Sequence, residues 1–316
     1  MLEEFSKKLF DELKEACNSC SGDTISLSGG LDSTILAYYL KDRKPKAITV
    51  ISKDFPADDL TYCQLASQEL DLPLKIINVD TSEVLDAING TISILKNFND
   101  IEIRNNIVMY LAIKWAKDHG SNGIITGDGA DEIFAGYSFL VKKPEDEIKK
   151  EIQRICKIMH FPTQKIGKAL GVRVETPFLN EKIIQLAEKI PVNLKVKVEN
   201  NKKHGKWILR KSFEEKIPKK IAWREKSPMQ DGAGTRGLTD FFDRVISDEV
   251  YSEKKKSIKE EFQITIRSKE SLHYFEIFKK LHGVSVEIQD TAKSCPFCHF
   301  KTESSKFCRM CGAFPI

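Results

Sequence analysis

The stretch that most constrains this chain is Ser28-Gly29-Gly30-Leu31-Asp32-Ser33-Thr34, which follows the apolar run Thr24–Leu27 and opens the amphipathic stretch Ser33–Leu40. Apolar run, glycine turn and helical spacing in that order predict a strand, a tight turn and a helix start. Such a turn presents backbone N–H groups and the positive end of a helix dipole, which together attract anions. The two glycines let the backbone approach a phosphate closely. Ser28 and Ser33 add hydroxyl donors, and Asp32 can hold a cation that bridges phosphate oxygens. A Walker A loop would need Gly-Lys-Ser/Thr after the glycines, with the lysine reaching the outer phosphates; here an aspartate stands there instead. The plain alternative is an ordinary tight turn before a helix.

The surrounding pattern sets the fold class. Thr24–Leu27, Ala47–Ile51, Leu74–Val79 and Gly123–Thr126 read as buried parallel strands, and Ser33–Leu40, Asp58–Leu70 and Asn105–Lys117 as helices between them. Phe5, Leu9, Phe10 and Leu13 give residues 5–17 helical spacing. This βαβ rhythm predicts an α/β, doubly wound parallel sheet, with ligands at the carboxyl ends of its strands. Glu145–Phe242 reads as mostly helical and 243–290 as charged and helical. The expected division is a catalytic domain over 1–240, a charged helical linker over 241–290 and a small metal lobe over 291–316.

Composition narrows the class. The chain has 316 residues, 41% of them hydrophobic, enough for a packed core, and no run of eighteen apolar residues. Met1-Leu2-Glu3-Glu4-Phe5 does not have the basic-then-apolar form of a signal peptide. A cytoplasmic protein, with no membrane partner, is the expectation. Its eight cysteines then argue for thiols or metal rather than disulfides. The net charge is only +4, but Lys195–Lys226 gathers Lys195, Lys197, Lys202, Lys203, Lys206, Arg210, Lys211, Lys216, Lys219, Lys220, Arg224 and Lys226. That stretch reads either as a polyphosphate or nucleic-acid surface or as a solvated face.

A second glycine-rich turn follows the fourth expected strand: Gly127-Asp128-Gly129-Ala130-Asp131-Glu132-Ile133-Phe134-Ala135-Gly136-Tyr137. It would bring Asp128, Asp131 and Glu132 near the first loop. Asp32 and Asp131 together suit Mg²⁺ held against pyrophosphate, since that ion takes one or two carboxylates and completes its shell with substrate oxygens.

The first loop resembles the PP-motif, S-G-G-x-D-S, of the ATP pyrophosphatase superfamily, and the second resembles G-E-G-S/A-D-E-L/V-F-G-G-Y of the asparagine synthetase synthetase domain. Further matches keep the family's order. Ile103-Arg104, placed before the helix Asn105–Lys117, resembles its Arg-bearing segment. Thr176-Pro177-Phe178-Leu179 resembles P-F-L-D, and Lys206-Trp207-Ile208-Leu209-Arg210 resembles K-x-x-L-R. Ile217–Ile221 with Trp223–Lys226 resembles L-P-x-x-I-x-x-R-x-K, and Gly232-Ala233-Gly234 resembles the glycine loop that follows it. The resemblance covers residues 20 to 236. It implies an ATP-dependent, AMP-forming amide ligase, in which a carboxylate attacks the α-phosphorus and an amine then attacks the acyl-adenylate. It also implies Lys226, Asp128 and Arg104 as catalytic residues, and Ser28, Gly29, Gly30, Asp32, Ser33, Gly127 and Lys206 as the ATP site. Asp32 and Asp131 would carry Mg²⁺.

The chain departs from the family in three places. Leu2 and Glu3 stand where the long forms carry a nucleophilic cysteine, so either ammonia is expected from solution or from an ammonia-supplying partner, or the nucleophile is something else. Asp128 replaces a glutamate. The segment G-V-E-A-R-x-P-F-L-D becomes Gly171-Val172-Arg173-Val174-Glu175-Thr176-Pro177-Phe178-Leu179-Asn180, with two charges exchanged and one lost. These exchanges read either as a changed acceptor side that speaks against free aspartate, or as a salt bridge of reversed polarity that changes nothing.

Near the C-terminus, Cys295-x-x-Cys298 and Cys308-x-x-Cys311 are spaced for a closed four-thiolate Zn²⁺ site, and a lobe this small needs the metal to fold. It reads as a zinc ribbon. Lys293, Lys301, Lys306 and Arg309 make it basic, so it serves either as a binding module or as a structural cap. Cys17 and Cys20 form a third pair, read as buried thiols or, with Cys63 or Cys156, as a second metal or cluster site. The leading expectation is a ligase acting on a small-molecule carboxylate. The alternative is a tRNA-modifying enzyme that adenylates a base or a base-borne carboxyl for amidation or thiolation. A non-catalytic nucleotide sensor fits less well with Asp32, Asp131 and Lys226 all in place. A homodimer is compatible with either enzyme.

Overall fold

The computed structural model describes residues 1–199, 201–284, 294–302 and 306–316. They form two compact units: Met1–Ile51, Asp58–Ile77 and Ala112–Pro228 in the first, and Ser52–Ala57, Asn78–Leu111 and Met229–Ile316 in the second.

The first unit is organised on a sheet of β1 (Thr24–Ser26), β2 (Lys46–Ser52), β3 (Leu74–Val79), β4 (Gly123–Ile125) and β5 (Arg173–Glu175), in the order β3-β2-β1-β4-β5. The pairs β1–β2, β1–β4 and β4–β5 are parallel, with Ile25 opposite Ala47 and Ile125. The chain winds outward from β1 to β2 and β3, then resumes on the other side of β1 as β4 and β5. The winding therefore reverses between β1 and β4, which is where a doubly wound sheet opens a ligand crevice. The expected strands are all present, with ends that differ by one residue or none. Ile25, Leu27 and Ile125 are fully buried beside Leu9 and Leu13 of the helix Leu2–Ser19. Each such side chain contributes about 1.5–3 kcal/mol to folding.

Glu145–Phe242 is not purely helical. It carries β5 and an antiparallel hairpin, β6 (Lys197–Glu199) with β7 (Lys202–His204). Arg-Val-Glu has no β-branched run to announce a strand. It is held by its ladder to β4, after the left-handed Gly171 (φ 74°) ends the helix Pro162–Leu170. The helix expected from Asn105 begins at Asp100 and runs to Asp118, so Ile103 and Arg104 lie inside it. Asn99 is the reason for the earlier start, because its side-chain oxygen accepts the Glu102 N–H at 3.3 Å, as a cap does.

In the second unit, residues 241–290 are not the expected linker so far as they are described. The helix Lys269–His282 buries Leu272, Tyr274, Phe275 and Phe278 and packs on the helix Thr81–Leu95. Phe98 meets the rings of Phe275 and Phe278 at 5.2 and 5.5 Å. High surface charge hid this apolar face in the sequence. The cysteine lobe is tied into the same unit by its backbone. Phe98 N–H donates to Met310 O at 3.0 Å, and Thr265 N–H to Phe297 O at 2.7 Å. Arg267 joins Cys311 O at 2.8 Å to the Asp100 carboxylate at 2.9 Å. Gly312 (φ 74°) comes so close that a Cβ would lie 2.6 Å from Asn99 and 2.7 Å from Arg267. Residues 291–293 and 303–305 of the expected lobe, Lys293 among them, lie outside the described residues. Among the described residues no helix is long and apolar enough to cross a membrane.

Candidate active site

The site lies in the first unit, where the loops after β1 and β4 flank the reversal of the sheet. Gly29 adopts φ 63°, and a Cβ there would come within 2.5 Å of the Tyr62–Cys63 backbone, so only glycine fits. Ser33 Oγ donates to Gly30 O at 3.3 Å and lies 3.1 Å from Ser28 Oγ, which accepts the Gly30 N–H. Gly30 caps the helix Leu31–Leu40 without a side-chain bond, which leaves the N–H groups of its first turn to a ligand. A Cβ on Gly127 would sit 3.0 Å from the Asp32 Cβ, so the two loops touch at the residues the sequence picked out.

Around that contact the charges alternate. Lys206 Nζ lies 2.6 Å from Asp32 Oδ2 and 2.7 Å from Asp131 Oδ1, and Lys226 Nζ lies 2.7 Å from Asp131 Oδ2. Burial works to raise the Asp131 carboxyl, but the two ammonium groups outweigh it and hold it well below the usual carboxylate range. Desolvation opposes the Lys226 charge, yet Asp131 and Asp32 raise its pKa, so it stays an ammonium. Asp128 accepts a hydrogen bond from Thr163, and burial raises its carboxyl above the ordinary aspartate value despite that bond and the nearby Lys226. Glu132, expected near the loop, accepts from the Tyr137 hydroxyl at 2.5 Å, and burial raises its carboxyl as well.

The oxygen chemistry suits a hard cation. Asp32 Oδ1 is buried and has no hydrogen-bond partner among the described residues, and Asp32 and Asp131 offer carboxylate oxygens from both loops. In the second unit, the sulfur atoms of Cys295, Cys298, Cys308 and Cys311 lie within 4.8 Å of one another, a donor set that suits zinc. They are the only such group among the described residues. Cys17, Cys20, Cys63 and Cys156 therefore do not assemble a second one. Burial pushes the Cys17 and Cys63 thiols up to about 12 and Cys20 to about 11, so all three stay protonated. Cys63 Sγ donates to Leu27 O at 3.1 Å and Cys20 Sγ to Ala16 O at 3.3 Å.

Arg104 belongs to the second unit, and there its guanidinium is engaged through Nε and Nη1. It pairs with the buried Glu270 at 2.8 Å, donates to Gln230 at 2.9 Å and bonds Thr239. Tyr274 donates to the other Glu270 oxygen at 2.8 Å. Sequence reasoning missed Glu270, whose partner is 166 positions away.

Two arginines of the quoted motifs also carry structure that the sequence did not assign. Arg210 is buried and donates to the carbonyls of Gly205 (2.9 Å), Ala222 (2.7 Å) and Arg224 (2.8 Å), clipping the Lys206 turn to the segment that ends in Lys226. Arg224 pairs with Asp59 at 2.7 Å, lies 3.8 Å over the Tyr62 ring and reaches Gly29 O at 3.4 Å. Much of the basic stretch is spent in this way. Lys195 is buried, Lys211 pairs with Glu214, Lys219 with Glu215 and Lys202 with Glu225, and Lys197 covers the Trp207 ring. The exchanged charges have structural partners too. Arg173 and Glu175 pair at 3.3 Å, Glu175 accepts the N–H groups of Ser21 and Gly22, and Asn180 caps the helix Glu181–Lys189.

A parallel sheet with a glycine loop at its winding reversal, facing paired carboxylates and fixed ammonium groups, defines a doubly wound α/β protein with a charged site at its strand ends. Residues 24–154 and 147–281 match the asparagine synthase family, and the chain belongs to that family. It is 30% identical to asparagine synthetase B (glutamine-hydrolyzing) of Escherichia coli strain K12 over 302 residues, covering 88% of this chain and 53% of that protein. It is also 30% identical to asparagine synthetase (glutamine-hydrolyzing) 1 of Saccharomyces cerevisiae, covering 73% of this chain and 49% of that one. The chain thus spans about half the length of the curated relatives it matches. Among solved structures, NMN synthetase from Francisella tularensis aligns over 92% of this chain and 99% of that chain at 13% identity, with a TM-score of 0.40, too slight a likeness to carry an argument.

Proposed function

We propose that the chain is an ATP-dependent, AMP-forming carbon–nitrogen ligase that activates a small carboxylate, aspartate first among candidates, for attack by ammonia. The observation that carries this reading is the alternating row Asp32–Lys206–Asp131–Lys226 beside the glycine loop. In the proposed reaction the loop Ser28–Ser33 and Gly127 hold ATP. A carboxylate oxygen attacks the α-phosphorus, the bond to the β-phosphate bridge oxygen breaks, and pyrophosphate leaves with the electron pair. Lys226 and Lys206 neutralise the charge that builds on the phosphates, the fixed-cation stabilisation expected to be the largest contribution. Asp32 and Asp131 would hold Mg²⁺, which supplies further neutralisation of the leaving pyrophosphate. Ammonia then attacks the acyl carbon, Asp128 takes a proton, and the bond to AMP breaks. The cysteine cluster would hold zinc as a structural staple, consistent with its backbone ties to Phe98, Thr265 and Arg267.

Two supports for a tRNA acceptor weaken at this level of detail. The basic stretch is largely occupied by internal partners, and the exchanged charges pair with each other. The deciding experiment is ATP–pyrophosphate exchange with aspartate, and separately with bulk tRNA, followed by amide formation with ammonia or glutamine. Exchange stimulated by aspartate supports the proposal. Stimulation by tRNA alone would replace the acceptor, and no exchange under any condition would reject ligase chemistry.

A further inference from the structure

The pair of carboxylates assigned to the divalent cation already holds a cation, the Lys206 ammonium, 2.6 and 2.7 Å from the two groups. Lys206 is 4% exposed, so this is not a surface pairing that solvent dissolves. The contact is built in. Lys206 adopts φ 54°, a conformation uncommon for a residue with a side chain, and its N–H donates to Phe134 O at 3.1 Å. Gly205 packs so closely that a Cβ would lie 2.2 Å from Ala135 O. A Cβ on Gly136 would lie 1.9 Å from Asp131 Oδ1 and 2.2 Å from Lys206 Cε, so glycine there is what allows the ammonium to reach Asp131. Arg210 fixes the same turn from the other side through Gly205 O. The backbone of Lys206 is therefore pinned, while its four-carbon stem leaves the head free to change partners.

Two mostly buried carboxylates facing one another without a cation would repel, at a cost in low dielectric. A divalent ion bound by the same two carboxylates would repel the ammonium. One of the two must leave, and phosphate oxygens beside the glycine loop offer Lys206 its new partner. We infer that Lys206 is the resting counter-ion of the metal pair, so that the site takes its divalent cation together with a polyphosphate rather than ahead of it. This rests on the proposed ATP site. It adds an order of loading that the ligase reading alone does not require, and it gives Lys206 a role before any bond is broken.

The test is nucleotide-free Mn²⁺ binding to the full chain as isolated, read by the electron paramagnetic resonance of the free ion. Wild type should bind Mn²⁺ weakly at this site. Lys206→Met removes the competing charge and should tighten binding about ten- to a hundredfold, the scale of a charged hydrogen bond lost from the competing state. Adding Asp32→Asn to that variant should abolish the gain. Lys206→Gln serves as the second variant if the first does not fold by circular dichroism. Equal Mn²⁺ affinity in wild type and both variants, or a gain that survives Asp32→Asn, overturns the inference. The measurement needs no turnover, so its failure is separate from failure of the ligase reading, which the exchange assay decides.

Discussion

Gly136→Ala adds one methyl group where the structure has no room for it. The backbone tolerates the change, since Gly136 is not among the residues with positive φ. The new Cβ would lie 1.9 Å from Asp131 Oδ1 and 2.2 Å from Lys206 Cε, where real Cβ atoms essentially never come within 3.0 Å. Neither neighbour can yield freely. Asp131 is also held by Lys226 at 2.7 Å, and Lys206 by Asp32 at 2.6 Å. The least disruptive relaxation rotates the Asp131 carboxylate away from Lys206 and forfeits one charge-assisted contact, about 1.5–3 kcal/mol. If a loss of that size in the placement of Asp131 carries into the transition state for adenylation, where this carboxylate would hold the divalent cation, exchange of pyrophosphate into ATP falls about 10- to 150-fold. Stability should fall by about 0.5–2.6 kcal/mol, because replacing glycine at a compatible φ restricts the unfolded chain by about 0.4–1 kcal/mol and offsets only part of the loss. The assay pairs the exchange rate with a thermal melt. A variant that exchanges within twofold of wild type would refute the claim that the placement of Asp131 matters to the chemistry.

Asp128→Asn should leave ATP–pyrophosphate exchange near wild type and slow amide formation by about 10²–10⁴, the scale of a lost general base. Because burial raises the Asp128 carboxyl, the wild-type amide step should rise with pH through that raised value, and the variant's profile should be flat across it. Cys298→Ser should reduce zinc by elemental analysis. It should also lower the melting temperature by about 5–10 °C, since the lobe is hydrogen-bonded into the second unit and metal binding supplies folding energy. Burial lowers the His273 pKa from 6.5, and the ring packs 4.5 Å from Phe242. Its neutral form therefore contributes stability above the unfolded value, which is lost as pH falls through the depressed folded value. His273→Phe should lose less melting temperature than wild type between about pH 7 and pH 5; an equal loss would remove His273 from the account.

The parts of the site that were legible are those whose function is local in the chain. The loops Ser28–Ser33 and Gly127–Asp131 announce themselves because phosphate approach demands glycine and hydroxyl groups at adjacent positions, and βαβ alternation places both at strand ends. The contacts that organise those loops are not local. Arg210 acts on three backbone carbonyls, which have no residue signature, and Arg104 finds Glu270 through helix packing. The helix Lys269–His282 looked like a charged linker because lysine and glutamate dominate its exposed side. Its buried Leu272, Tyr274, Phe275 and Phe278 show their common face only against the helix Thr81–Leu95. The sequence proposes Lys206 as a nucleotide ligand but does not show it as the partner of both carboxylates, because that depends on Gly136 and on a positive φ.

The exchanged charges at 173–180 carry the last step. If Arg173 and Glu175 had faced a substrate, reversing them would have required a different acceptor. Instead Glu175 closes the turn before β1 through Ser21 and Gly22, and Arg173 donates to Ser21 Oγ at 2.6 Å. Asn180 caps the helix Glu181–Lys189, a role for which asparagine and aspartate are about equally good. A pair that bridges itself and an asparagine spent on a cap weaken the electrostatic argument against aspartate. What remains distinctive on the acceptor side is Asp128, one methylene shorter than the family's glutamate and bonded to Thr163. The acceptor question thus contracts from a charged segment to the reach of one carboxylate, which is why the partial reactions of Asp128→Asn discriminate more sharply than any change at 173–180.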